Sequence, residues 1–384
     1  MLRRLALALV KERLQSSPAA ALIGPRQSGK TTAAKSLSSH YFDLEQPEDR
    51  LRLDLRWDEI SRPVTKPWVF DEAQSWPEVF PRLRAAIDQH PRRNGRFLLL
   101  GSVSPALMRQ VSESLAGRLS LVELTPFLAV EMMPDRDNDL WLRGGFPRGG
   151  ILRGRTFPQW QKDYLSLLAQ RDLPAWGLPA KPAMTDRMFR MTAALNGQVW
   201  NASEVGRALG LSYHTVNASM EFLTGAFLLR FLAPFHANLK KRLIKSPKMY
   251  WRDTGLLHSL LGVSSQDELL SRPWVGASWE GFVIEQILGS LLARGESHNA
   301  FYLRASDGSE IDLILETGNR RWAVEIKLTT FPSPEDARKL KSQSEAIDAH
   351  PVLLSRVSRT DEGSGILSTN LRGFLFRLRD DSKA

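Results

Sequence analysis

The sequence predicts an α/β fold, with buried strands and helices alternating early in the chain and again at its end. Two observations predict it. The apolar runs Ala19–Ile23, Trp68-Val69-Phe70 and Phe97–Leu100 are short and continuous, as strands buried on both faces are. Near the C-terminus, a helical stretch from Ala277 to Arg294 leads into three strand-like runs, Phe301–Arg304, Glu310–Glu316 and Trp322–Leu328. The expected division is 1–130, 131–185, 186–255 and 256–384.

Composition narrows the function classes. At 384 residues the chain has room for two or three domains of about 150 residues. Its 42% hydrophobic content supports real cores, so disorder is excluded as the main state. No cysteine is present, which excludes a disulfide scaffold, thiol catalysis and cysteine zinc sites. No apolar run approaches the roughly 20 residues of a membrane span. The start, MLRRLALALVKERL, resembles a secretory leader until Lys11-Glu12-Arg13 interrupts it. It is expected as an amphipathic helix with Leu2, Leu5, Leu9 and Arg13 along one side, in a cytoplasmic protein without a membrane partner. The 52 Lys and Arg against 42 Asp and Glu leave +10, which favours an acidic partner such as nucleic acid.

The first apolar run opens into Gly24-Pro25-Arg26-Gln27-Ser28-Gly29-Lys30-Thr31, followed by Thr32. This fits G-x-x-x-x-G-K-[ST] at every fixed position. The glycines let successive N–H groups point at phosphates, Lys30 places its charge on the β- and γ-phosphates of ATP, and the Thr31 hydroxyl sits on Mg²⁺. Ala33, Ala34 and Leu37 continue as a helix. Some forty residues on, Trp68-Val69-Phe70 ends in Asp71 and Glu72. Asp71 is expected to hold the metal through water and Glu72 to act as general base on the attacking water. The alternative is that both acids merely start a solvated turn.

The middle is less chemical. Arg143-Gly144-Gly145-Phe146-Pro147-Arg148 reads as a turn, and Gln159 to Ala169 as a helix with Trp160, Tyr164 and Leu168 on one face. Ala202–Leu209, the turn Gly210-Leu211-Ser212, the helix Tyr213–Leu223 and the strand Phe227–Leu232 form a winged helix-turn-helix pattern. Tyr213, His214 and Asn217 would face a DNA groove, while Val216, Met220 and Leu223 point inward. From Asn201 to Arg252 there are eight basic residues (Arg207, Arg230, Lys240, Lys241, Arg242, Lys245, Lys248 and Arg252) against Glu204 and Glu221. Lys240 to Lys248 contains no acid, which suits phosphate contacts without sequence specificity. A solvated loop, or a winged helix used for protein contacts, is the alternative.

In the last segment, Glu280 shares a helix face with Ile284, Ile287 and Leu291. Glu325 and Lys327 share one strand face, and Asp312 lies in the strand before them. These four residues resemble the constellation of the PD-(D/E)XK nuclease fold, a restriction-endonuclease-like α/β domain in which carboxylates bind Mg²⁺ and the lysine orients a water. The alternative is that Glu280, Asp312 and Lys327 satisfy one another as a buried ionic cluster that merely shapes the core.

The chain resembles the prokaryotic AAA-type ATP-binding proteins that carry a C-terminal domain of unknown function. The likeness rests on GPRQSGKTT (24–32), VFDEAQ (69–74), LLLGSVSP (98–105), LAGR (115–118), GGFPR (144–148), RDLP (171–174), SPKMYWRDTGLL (246–257), WEGFVIEQIL (279–288), EIDLILE and AVEIK. It implies an AAA-type P-loop ATPase fused to a winged helix and a nuclease-like domain. In AAA-type ATPases a polar sensor ends the fourth strand and an arginine after the next helix reaches a neighbour's ATP. Ser102, or Ser104, and Arg118 occupy those places. Arg118 alternatively complements a helix dipole. The resulting expectation is a homo-oligomer, a ring such as a hexamer, that remodels branched or forked DNA as a helicase or branch-migration motor. An ATP-gated nuclease and a nucleotide-switched scaffold are the alternatives.

Overall fold

The computed structural model describes residues 3–60, 62, 65–101, 115–178, 180–235, 244–305 and 309–381. Two compact units emerge. The first runs to Phe127 and includes 225–227 and 292–295; the second holds the rest of the chain. The pieces expected as 131–185, 186–255 and 256–384 thus lie very largely in one unit.

The first unit is a parallel sheet of five strands: β1 (Ala19–Ile23), β2 (Tyr41–Asp43), β3 (Trp68–Asp71), β4 (Phe97–Gly101) and β5 (Leu119–Glu123). Their order is β2-β3-β4-β1-β5. β1 and β4 are buried along their whole length, which is why they read as unbroken apolar runs. In register, Ile23 lies beside both Gly101 and Glu123, and Asp43 beside Asp71. All strands run one way, so the loops leaving β1 and β3 open at the same edge. Helix α1 (Ala6–Ser16) buries Ala6, Leu9, Val10 and Leu14. Of the side expected, Leu9 is buried while Leu5 and Arg13 are half-buried, and Leu2 lies outside the described residues. Helix α2 is short, Lys30–Lys35, so Leu37 falls in the turn that follows. The stretch from Pro105 to Gly117, expected as the helix that precedes Arg118, lies mostly outside the described residues.

The second unit carries an eight-stranded sheet, in the order β12 (Asp361–Gly363), β13 (Ile366–Thr369), β11 (His350–Leu354), β10 (Arg320–Ile326), β9 (Glu310–Thr317), β8 (His298–Arg304), β6 (Leu229–Pro234) and β7 (Lys248–Trp251). Strands β6 (Leu229–Pro234) and β7 (Lys248–Trp251) form an antiparallel hairpin at one end, and β6 continues into β8 (His298–Arg304) through parallel pairing. The expected boundary at 255 therefore falls inside one continuous sheet. Helices at Ala202–Leu209 and Tyr213–Gly225 precede the hairpin, separated by Gly210 at φ 69. Ser212 caps the second helix, its Oγ accepting from the Thr215 N–H at 3.1 Å. Val216, Met220 and Leu223 are buried, as expected. After the helix Val275–Arg294, strands β8, β9 (Glu310–Thr317) and β10 (Arg320–Ile326) run as an antiparallel meander. A helix at Pro334–Glu345 then leads to β11 (His350–Leu354), parallel to β10.

The sequence motifs with no assigned chemistry become intelligible here. Asp253 caps the helix Thr254–Leu260, accepting from the Leu256 N–H at 3.0 Å and, across the unit, from the Gly145 N–H at 2.8 Å. Gly144, at φ 75, leaves no space for a β-carbon beside that carboxylate. His258 is fully buried, its ring bonded to the Leu142 carbonyl at 2.8 Å and to Ser278 Oγ at 2.6 Å. GGFPR, the RDTGLL segment and the start of the long helix are therefore one packed joint.

That joint carries two opposed pH dependences. Burial pushes the Asp253 carboxyl up to about 6, against the backbone N–H bonds that pull it down. Burial also pushes His258 down to about 4. A depressed histidine contributes stability above its ordinary value near 6.5 that is lost as pH falls toward 4; a raised carboxyl contributes stability at low pH that is lost as pH rises through 6. From pH 7 to 5, His258 should cost about 2 kcal/mol. Relative to wild type, His258→Asn should therefore gain about that much stability on acidification, and Asp253→Asn should lose some. Urea midpoints at the two pH values check this.

Candidate functional site: the phosphate loop and the carboxylates beside it

The loop after β1 bends where its glycines allow. Gly24, at φ 149, faces the Leu124 carbonyl oxygen so closely that any β-carbon would collide with it. Gly29, at φ 100, turns the chain into α2. Gln27 also takes a left-handed conformation, at φ 61. Lys30 is buried, and its Nζ donates to the carbonyls of Gly24 at 3.0 Å and Pro25 at 2.9 Å. Burial lowers the ammonium to about 8, while the charges of Glu72 and Asp71 act to raise it. It remains a cation at neutral pH, poised to gain from an anion. Ser28 Oγ is buried with no hydrogen-bond partner among the described residues. Such an orphan hydroxyl is costly unless a ligand satisfies it. Arg26 pairs with Glu45 at 3.5 Å, and Thr32 is exposed on α2.

At the end of β3, Asp71 is buried and accepts three hydrogen bonds. Thr31 Oγ1 donates to its Oδ2 at 2.6 Å, Tyr41 OH donates to the same oxygen at 2.7 Å, and the Glu72 N–H donates to Oδ1 at 2.9 Å. The Thr31 oxygen and the Asp71 carboxylate are hard ligands brought to one point beside Lys30. They fit a magnesium ion, which takes few protein oxygens and completes its shell with phosphate and water. Glu72 follows at φ 47 and receives a hydrogen bond from the Gln74 amide. A non-glycine residue held there is strained, which is common where a side chain must be aimed.

Sequence reasoning missed Tyr41 and Arg4. Tyr41 sits on a strand with no motif around it. Arg4, 5% exposed, donates to the Ser28 carbonyl at 2.8 Å and the Thr125 carbonyl at 2.5 Å, tying the phosphate loop to the segment after β5. Arg118 lies at the other edge of the sheet: its carbonyl accepts from the N–H of Ala19, the first residue of β1. Its guanidinium is held bidentately by Asp88, at 2.7 and 3.2 Å. It is therefore remote from the phosphate loop of its own chain. Ser102 and Ser104 lie outside the described residues, as do Lys240, Lys241 and Arg242.

The second candidate cluster is satisfied from within. Lys248, expected to contact DNA phosphates, is 3% exposed and binds Glu280 at 2.8 Å and Glu310 at 2.5 Å. It cannot reach a polyanion from there. Tyr250 OH also donates to Glu280. Asp312 accepts from the Ile326 N–H at 2.8 Å, and Lys327 pairs with Glu325 at 2.8 Å. Burial raises the Asp312 carboxyl well above the carboxylate range, and the charges of Glu280 and Glu325 raise it further. Glu280, Asp312, Glu325 and Lys327 do come together, but among the described residues no three His, Cys, Asp or Glu are arranged to hold a metal.

Two more of the eight basic residues turn inward. Arg230 grips Glu285 at 2.6 and 2.9 Å, and Arg252 adds a bond at 2.6 Å. Burial would raise that carboxyl; the two guanidiniums outweigh it and bring it down to about 2. The basic balance of 201–252 is thus partly neutralised by acids later in the chain. Tyr213, 53% exposed, and His214 remain at the surface in edge-to-face contact, with Asn217 half-buried and Lys245 exposed.

A family model described as an AAA domain matches residues 16–133, and two domains of unknown function match 136–267 (DUF8612) and 275–370 (DUF4143). Uncharacterized proteins of Mycobacterium tuberculosis and Mycobacterium bovis are each 40% identical over 339 residues, spanning 86% of this chain and 75% of theirs. The chain belongs to their family. It is a P-loop ATPase of the AAA type with a C-terminal DUF4143 domain. Among solved structures, the Walker-type ATPase of Pyrococcus abyssi is similar with a TM-score of 0.45 and 15% identity, over 67% of this chain and 94% of that one. Among the described residues, no helix of this AAA-type protein is long and apolar enough to cross a membrane.

Proposed function

We propose that this AAA-type protein hydrolyses ATP with Mg²⁺ and uses the cycle to remodel DNA as an oligomer. The observation that carries the first half is the meeting of Lys30, Thr31 and Asp71 at one edge of the parallel sheet, with Glu72 next to them. Lys30 and the loop N–H groups bind the phosphates, Thr31 and Asp71 hold the ion that shields the developing charge, and Glu72 takes the proton of the attacking water.

DNA binding is supported by the helix pair at 202–225, the hairpin that follows it, and the exposed Tyr213 and His214 at the start of the second helix. Lys245, with Lys240, Lys241 and Arg242, supplies phosphate contacts. The remoteness of Arg118 from its own phosphate loop suits a role on a neighbouring copy's nucleotide, with Asp88 holding it until assembly. The order of helix, three-stranded meander, helix and parallel strand supports a nuclease-like fold for the last segment. Lys248 and Tyr250 on Glu280 favour an ionic core there over a cutting site.

Anisotropy of labelled duplex and forked DNA tests the DNA half. Tyr213→Ala with Lys245→Ala should weaken binding several-fold and flatten its salt dependence. Equal binding by variant and wild type would favour the nucleotide-switched scaffold instead.

A further inference from the structure

We propose that Tyr41 is a positioning residue for the magnesium–nucleotide complex: its hydroxyl locks the Asp71 carboxylate in the orientation the metal requires. The inference rests on the phosphate-site reading above and adds a residue that no motif contains.

Asp71 Oδ2 accepts from two hydroxyls at once, Thr31 Oγ1 at 2.6 Å and Tyr41 OH at 2.7 Å, while Oδ1 accepts from the Glu72 N–H at 2.9 Å. Three donors fix every rotation of a short side chain. The Thr31 and Glu72 bonds come from the two segments that themselves face the ligand. Tyr41 alone comes from outside them, on β2, whose parallel pairing with β3 sets Tyr41 beside Val69 and Asp43 beside Asp71. A side chain as long as tyrosine is needed to reach forward along the strand to the carboxylate. Its ring is held in turn by Lys35, whose Nζ sits 4.1 Å from the ring centroid. Lys35 ends the helix that begins with Lys30 and Thr31. One tyrosine therefore couples β2, the end of β3 and the helix after the phosphate loop. A tyrosine hydroxyl ordinarily titrates only near pH 10, so at neutral pH it is available as a donor. Partners that orient a metal-binding carboxylate typically change metal affinity about 10-fold or more when removed.

The test is equilibrium binding of a fluorescent ADP analogue to the full chain, titrated with Mg²⁺ after EDTA treatment. Tyr41→Phe should bind the analogue like wild type without Mg²⁺, which shows that the fold and phosphate loop are intact. It should need about 10-fold more Mg²⁺ to reach the tightened state. Coincident Mg²⁺ titrations of Tyr41→Phe and wild type would overturn the role of Tyr41 and leave the phosphate site standing. A wild type whose ADP affinity ignores Mg²⁺ would overturn both. Weakened Mg²⁺-free binding in Tyr41→Phe would also contradict the proposal, because it marks a merely structural role.

Discussion

Glu72→Gln is expected to bind ATP as tightly as wild type and to hydrolyse it at least ~100-fold more slowly. The amide keeps the size and the hydrogen-bond acceptor of the side chain but takes no proton from water. The strained backbone at φ 47, which aims Glu72, is unaffected by the change, and Lys30, Thr31 and Asp71 are untouched. Binding and turnover are therefore separable at this position. Lys30→Ala should show the opposite pattern and lose the nucleotide itself, since its ammonium is the buried cation of the loop. Filter binding and phosphate release on the same preparations distinguish the two. Equal turnover by Glu72→Gln and wild type would remove Glu72 as the base.

The second large effect is on stability. Glu285→Ala should destabilise the second unit by about 3–5 kcal/mol, because it leaves Arg230 and Arg252 half-buried without their shared carboxylate. Arg118→Ala, which breaks a pair at the surface, should cost no more than about 1 kcal/mol. Glu285→Ala strands two largely buried guanidiniums, whereas Arg118→Ala leaves a solvated carboxylate, so the contrast reports the cost of stranding charge away from water. Denaturant unfolding of the two variants beside wild type measures it. Similar losses would show that the Glu285 group is as solvated as a surface pair.

The phosphate site was legible because its information is local. Gly24, Gly29, Lys30 and Thr31 stand within eight residues, and their spacing is itself the geometry that a phosphate requires. Asp71 and Glu72 end an apolar run, which places them at a strand tip. Tyr41 was not legible: its bond to Asp71 exists only because β2 pairs with β3. The basic stretch misled for the same reason. Lys248, Arg230 and Arg252 look like a cationic patch when neighbours in sequence are counted, yet their partners Glu280, Glu310 and Glu285 lie 30 or more residues away along the chain. One signal did point the other way. Lys248 opens the run Met249-Tyr250-Trp251, and all four residues of that strand are buried. A lysine in such company needs an internal carboxylate. GGFPR read as a turn because glycine and proline dominate it; that its real constraint is Asp253 becomes visible only in three dimensions.

Coupling between ATP cleavage and DNA is the centre of the proposal, and steady-state phosphate release measures it directly. With Mg²⁺ present, forked or duplex DNA should raise the wild-type rate, and Tyr213→Ala with Lys245→Ala should blunt the rise without lowering the DNA-free rate. A wild-type rate that stays the same with and without DNA would contradict it.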